Sequence, residues 1–213
     1  VPHPELAHSN TTRFELASAG GDSIPALVAS WEATPALRGG IVITFGIMLW
    51  YMDNTNRVLS PGDRVVARRH LLRSSVAEEK WLRQAFVEAA DWTNDPTWAP
   101  LVRQIAPDSV TTRKLEGELI VIRKVDLMRL VQEQWDAMGE EGWVSDDGLK
   151  RSAALALGSA GTALGEEDLR TARASLTALG VNLGAARGRG MRSEGYEVMR
   201  AAIDSLSARL SAN

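Results

Sequence analysis

Apolar positions fall into blocks with helical spacing, separated by proline, glycine and polar clusters. Leu27, Val28 and Trp31 share one face after Ser23, a cap, and Pro25, a first-turn proline, and Pro35 with Gly39 and Gly40 ends this short helix. Residues 41 to 52 read IVITFGIMLWYM, apolar all round. Periodicity leaves buried helix and buried strand both open there, and length favours the helix. A loop is expected at DNTNRVLSPGDR, residues 53 to 64, where Asn54, Asn56, Pro61 and Gly62 are turn formers. Ser75-Val-Ala-Glu78 then has the form of a capping box ahead of Trp81, Leu82, Ala85 and Phe86, which predicts a helix to about Ala90.

A tryptophan-bearing turn at residues 91 to 100 leads into a short helix around Leu101, Val102 and Ile105, stopped by Pro107. Lys114 to Met138 carries Leu115, Leu119, Ile122, Leu127, Leu130, Val131 and Trp135 without a proline. That predicts one long helix, with a short strand at 120 to 122 as the alternative. Ser145-Asp-Asp caps an alanine-rich helix from Leu149 to Leu164, and Glu166, Glu167 and Asp168 place acids at the positive end of another, reaching Leu179. Ser193 caps the last helix, whose Tyr196, Met199, Ile203, Leu206 and Leu210 form a narrow apolar stripe suited to its own domain or to a partner helix. Residues 1 to 22 lack such periodicity and read as an extended arm. The expected fold is mostly α, with that arm, a single helical core domain at 23 to 180, and at 181 to 213 a basic Gly/Arg linker and C-terminal helix, a flexible or helical tail.

Composition narrows the chemistry. The 213 residues include no cysteine, so disulfides and cysteine-ligated metals are excluded and nothing demands an oxidising compartment. The longest apolar run, Ile41 to Met52, is interrupted by Thr44 and Gly46 and is shorter than the ~20 apolar residues of a membrane span. No membrane helix and no targeting signal are expected. A net charge of −3 argues against a surface that is wholly nucleic-acid-binding. Yet lysine stands only at 80, 114, 124 and 150, which leaves twenty arginines among the 24 basic residues, and arginine suits bidentate phosphate contact. Arg57, Arg64, Arg68, Arg69 and Arg73 cluster around a single acid, Asp63, and Arg187, Arg189 and Arg192 form a second basic site among glycines. Phosphate contact and plain solvated charge are both open for the two clusters.

Catalytic signals are missing. His3 and His8 fall in the arm, and His70 lies beside Arg68 and Arg69, where it reads as an ordinary surface or packed histidine. No GxSxG, HExxH, EF-hand or complete phosphate loop is present; GSAGTALG at 158 to 165 lacks the Lys-Ser/Thr that would follow its glycines. The pairs Glu140-Glu141 and Asp146-Asp147 read as solvated or capping charges. No catalytic residue, metal site or cofactor is expected.

Residues 45 to 61, FGIMLWYMDNTNRVLSP, resemble the coat proteins of flexible filamentous plant viruses, particularly the potyvirus type. The likeness rests on the order of Gly46, Met48, Trp50, Asp53, Asn54, Ser60 and Pro61. Val102-Arg103-Gln104-Ile105 looks like that family's Arg-Gln helix, and Trp31-Glu32-Ala33 stands where it has a tryptophan helix. The resemblance implies an RNA pocket using Ser60 and Arg103. The family's pocket aspartate has no counterpart in RSAALALG, residues 151 to 158. It further implies a non-enzymatic coat or nucleocapsid subunit that polymerises helically, exchanges its arm with a neighbour and binds single-stranded RNA without sequence specificity, in a virion or the host cytoplasm. Arg57, Arg64, Arg68 and Arg69 would add phosphate contacts, with the tryptophans buried in apolar patterns rather than stacking on bases. The alternatives are a helical adaptor protein of a GC-rich bacterium or phage, acting through the stripe at 193 to 210, and a small helical enzyme without a sequence motif.

Overall fold

The computed structural model describes residues 10–53 and 59–211. These residues are mostly helical and contain no strand; isolated bridges join Met191 to Val144 and to Arg187. The chain divides into two compact units, Val1–Asp95 with Val102–Thr112, and Pro96–Leu101 with Arg113–Asn213.

In the first unit, α3 (Arg38–Asp53) packs against α1 (Asn10–Ala19), α4 (Pro61–Ser75) and α5 (Lys80–Thr93), while α2 (Ile24–Ala33) lies beside it. The apolar run that periodicity could not assign is therefore helix. It is hydrophobic all round because it is enclosed all round: every residue from Ile41 to Leu49 is buried. Thr44 donates its hydroxyl to the Gly40 carbonyl within the helix, at 2.8 Å, so its burial leaves that group satisfied. Gly46 sets the spacing of α3 and α5. A Cβ there would stand 2.5 Å from the carbonyl oxygen of Ala89 and 2.8 Å from its Cα, so only glycine permits this approach of the two backbones.

Four expectations in this unit need correction. The first is the cap at Ser23, whose hydroxyl makes no cap bond to α2 and instead donates to the carbonyls of Leu16 (3.0 Å) and Gly20 (2.9 Å). Residues 10 to 22 are not an extended arm: they form α1 and a 3-10 turn, Gly20–Ser23, with Ala17 fully buried and Phe14 edge-on to Trp92 at 5.4 Å. A weakly amphipathic helix anchored by two side chains gives no periodic signal. Residues 1 to 9 of that expected arm lie outside the described residues. Ser60 and Pro61 open a helix instead of sitting in a loop, with the Ser60 hydroxyl accepting from the Asp63 amide at 3.1 Å and Pro61 in the first turn. The Ser75 capping box does not form either. Ser74 and Ser75 donate back to the carbonyls of His70 (2.7 Å) and Leu72 (2.8 Å), inside α4, and α5 starts after Glu79 without a side-chain cap.

Chain passes into the second unit through α6 (Ala99–Ile105) and α7 (Val110–Val121). There α8 (Lys124–Glu140) packs on α9 (Asp147–Gly165) and α11 (Ser193–Ser211), and α10 (Leu169–Ala186) packs on α9 and α11. Leucine and alanine fill the seam: Leu127 and Val131, Ala153 and Leu157, Leu176 and Leu183, Met199 and Leu206 are all buried. Each large apolar side chain so buried is worth about 1.5–3 kcal/mol against exposure. Asp146 and Asp168 cap α9 and α10, accepting from the amides of Leu149 at 2.9 Å and Thr171 at 3.1 Å.

The long helix expected at Lys114 to Met138 is two helices, and its alternative strand at 120 to 122 is absent. Ile122 and Arg123 form an elbow between α7 and α8. The freed carbonyls are met from another helix: Ser205 of α11 donates to that of Leu119 at 2.9 Å, and Arg209 donates to that of Ile122. The glycine-rich basic segment is also more ordered than a linker. Residues to Ala186 belong to α10, and the following turn is pinned by the Arg192 amide on the Trp143 carbonyl and the Ser145 amide on the Gly190 carbonyl, both at 2.9 Å.

Candidate functional site

The basic cluster around α4 resolves into unlike members. Arg68 is 1% exposed, and its guanidinium meets the buried carboxylate of Asp95 at 2.7 Å. A charge so neutralised and enclosed cannot reach a phosphate. Arg64 is also buried, Arg69 is half-buried, and Arg73 pairs with Glu32 at 3.4 Å. Arg57 lies outside the described residues. Asp95 stands far along the chain in a tryptophan-bearing turn, so nothing local in the sequence marks it as a partner.

Ser60 is engaged as the cap of α4. Its hydroxyl donates to Asp63 Oδ2 at 2.6 Å while accepting from the Asp63 amide, so a phosphate there would meet an adjacent carboxylate. Arg103 lies on α6 in the same unit and is exposed. His70 is a packed residue: its Nδ1 lies 2.8 Å from the Val66 carbonyl, and its ring stands edge-on to Trp31 at 4.9 Å and tilted to Phe45 at 5.0 Å.

The second basic site, in the other unit, keeps its arginines at the surface but gives two of them partners. Arg187 bonds Glu197 at 2.7 Å and lies over the Tyr196 ring, and Arg192 lies over the Trp143 ring at 5.1 Å. Arg189 is exposed between them.

Two features were not legible in the sequence. The first is the elbow, where Ile120 is 72%, Val121 70% and Val125 57% exposed within six residues of chain. The apolar set of the expected helix takes in Leu119, Ile122 and Leu127, and nothing in the pattern marks these three neighbours as exposed. The second is a cleft of about 590 Å³ in the first unit, lined by Arg13 of α1, Gly39, Gly40 and Ile43 of α3, and Trp81, Gln84, Glu88 and Asp91 of α5. Trp81 is 48% exposed, unlike Trp31, Trp98, Trp135 and Trp143, which are buried. Arg13 and Glu88 face one another at 3.8 Å.

Among the described residues, no group of three or more histidines and carboxylates is placed to hold a metal ion, and no helix is long and apolar enough to cross a membrane. Perturbed carboxylates lie in the second unit. Partial desolvation, followed by Glu133 and Glu140 on the same helix, raises the Asp136 carboxyl above its ordinary value; hydrogen bonds from Thr171, side chain then backbone, lower that of Asp168. No protein-family model, curated protein or solved structure matches the chain.

Proposed function

We propose that the protein is a structural subunit of the coat or nucleocapsid type, which assembles with copies of itself and holds single-stranded RNA by its phosphates without reading sequence. The observation that carries this reading is the elbow. Ile120, Val121 and Val125 project into solvent from a backbone that α11 grips at two carbonyls, so the patch is both apolar and fixed in shape. Such patches mark protein contacts, and burying these side chains between subunits would contribute about 1.5–3 kcal/mol each. The assembly contact is assigned to the elbow and not to residues 10 to 22, because α1 lies against α3 of its own unit and the turn after it against α1 and α2.

Self-assembly is favoured over the adaptor reading because the α11 stripe an adaptor would use is closed on its own unit: Met199, Ile203, Leu206 and Leu210 are buried. RNA contact falls to Arg103 and Arg69; Arg64 is buried and Arg68 is committed to Asp95. A backbone-tracking arginine set of this size is compatible with the acidic net charge of −3. The subunit would act in a virion or in host cytoplasm.

Sedimentation velocity and negative-stain microscopy test the reading. Wild-type protein should form large assemblies carrying nuclease-protected RNA, and the double change Ile120→Asp with Val121→Asp should leave monomers of unchanged helicity by circular dichroism. Arg103→Ala should reduce retained RNA while elbow contacts persist. Wild-type protein that stays monomeric at all concentrations and retains no RNA would overturn the proposal.

A further inference from the structure

Beyond the elbow, the second unit carries another apolar surface. Among its described residues the large apolar side chains left exposed are the three of the elbow, Leu155 of α9 (75%) and Val181 of α10 (68%). The last two stand together. Ser159 and Ser175 bond at 3.0 Å across the exposed side of α9 and α10 and fix their register. Leu155 lies one turn from Ser159, and Val181 less than two turns from Ser175, both leading away from the connection at residues 166 to 168. No residue from Ser152 to Gly165 or from Ala174 to Ala186 is charged, in a chain that is 24% charged. Solvated helix faces ordinarily carry charge, so this one has the make-up of a covered surface. Gly158, exposed about one turn from Leu155, adds to it: a Cβ there would meet nothing within 4 Å. Glycine weakens a helix relative to alanine, and the subunit's own packing gives no reason for one there.

Symmetry narrows the occupant. In this unit α8 packs on α9, α9 on α10, α10 on α11 and α11 on α8, in a ring. The elbow is gripped by α11 and runs into α8, so α9 and α10 form the other pair of the ring and stay free when an elbow is engaged. An elbow that met its own copy would close a two-fold dimer and stop there, whereas contact between two unlike patches propagates from subunit to subunit. A charged partner surface would lose its hydration against this face without gaining a counter-charge. The branched apolar side chains of Ile120, Val121 and Val125 gain by the same burial.

We infer that the α9–α10 face, centred on Leu155 and Val181, receives the elbow of a second copy of this chain, so that subunits join head to tail. The inference rests on the self-assembly reading above and adds to it the surface on which the elbow lands.

Sedimentation velocity of full-length variants, at concentrations where the wild type assembles, tests it. A face variant, Leu155→Asp with Val181→Asp, and the elbow variant, Ile120→Asp with Val121→Asp, should each be monomeric, with self-association weakened at least about tenfold. Mixed in equal amounts they should form a discrete dimer, because one intact elbow still finds one intact face. Single cysteines, unique in this cysteine-free chain, report the same contact without added charge. An oxidised mixture of Val121→Cys and Val181→Cys should give a disulfide-linked pair, and neither variant alone should. Assembly of the face variant like the wild type, a mixture that stays monomeric, or cross-linking of Val121→Cys to itself would overturn the inference while leaving self-assembly through the elbow in place. Wild-type protein that stays monomeric would instead remove the reading beneath it, and the inference with it.

Discussion

The two units build their interiors by different means. The first encloses an apolar helix, brings two backbones together at Gly46 and Ala89, and buries an ion pair, Arg68 with Asp95. The second repeats one simple theme, leucine and alanine on amphipathic helices whose ends are capped by Asp146 and Asp168. A core made of exchangeable apolar pieces tolerates volume-conserving change, whereas a core that depends on one carboxylate meeting one guanidinium, or on one missing Cβ, does not. The lesson is that a cluster of arginines in a sequence divides by context into surface charges and structural ones.

The largest expected effect follows from that division. Arg68→Met keeps the bulk of the side chain but strands the Asp95 carboxylate, and should destabilise the protein by about 3–5 kcal/mol in denaturant titrations. Its counterpart in the second unit, Leu176→Met, should cost less than about 1.5 kcal/mol. Similar losses for the two would break the contrast. Gly46→Ala comes next, because the new methyl group must push α3 from α5; about 1–3 kcal/mol is expected, and Ala89→Gly should not reverse the loss, since the atoms the methyl meets belong to the Ala89 backbone. A smaller loss, about 1 kcal/mol, should follow Asp146→Ala, since the Leu149 amide loses its acceptor.

The smallest effects are pH-dependent and have opposite signs. The folded-state pKa of Asp136 is raised above its ordinary 3.8, so its contribution to stability is present below that value and is lost as pH rises through the folded pKa. Asp136→Asn should therefore raise the melting temperature slightly at pH 7 and leave it unchanged near pH 3. For Asp168, whose pKa is lowered, stabilisation is present above the ordinary value and is lost as pH falls through the folded one. Asp168→Asn should lower the melting temperature at pH 7 and matter less in acid. Melting curves across this range check both signs, and identical pH profiles for the two variants would contradict them.

How much of this was readable in the sequence depended on whether the cause was local. The caps of α9 and α10 lie three residues from the amides they accept, and the stripe of α11 is a plain helical period, so both could be read directly. Helix α4 was missed although Ser60-Pro61 and Asp63 form a usable start signal, because its two inward arginines erase the apolar stripe. The break at Ile122 has no proline or glycine to announce it, and the groups that satisfy its carbonyls, Ser205 and Arg209, lie in another helix. Of the candidate site, Arg103 was placed correctly on a short helix, but its environment could not be foreseen. Trp81 was read as core because its spacing from Leu82 and Ala85 fits a buried face, and only the glycines across from it on α3 reveal that the face opens.

The grip of α11 on the elbow also orders events in time. Ser205 and Arg209 hold carbonyls more than eighty residues earlier in the chain, at Leu119 and Ile122, and contacts of such separation form late because their loop entropy must be met first. On the ribosome, the elbow takes its final shape only after residue 209 has emerged. Until then Ile120, Val121 and Val125 stand on an unfixed backbone, and the surface assigned to assembly takes its shape together with the docking of α11 that closes the second unit.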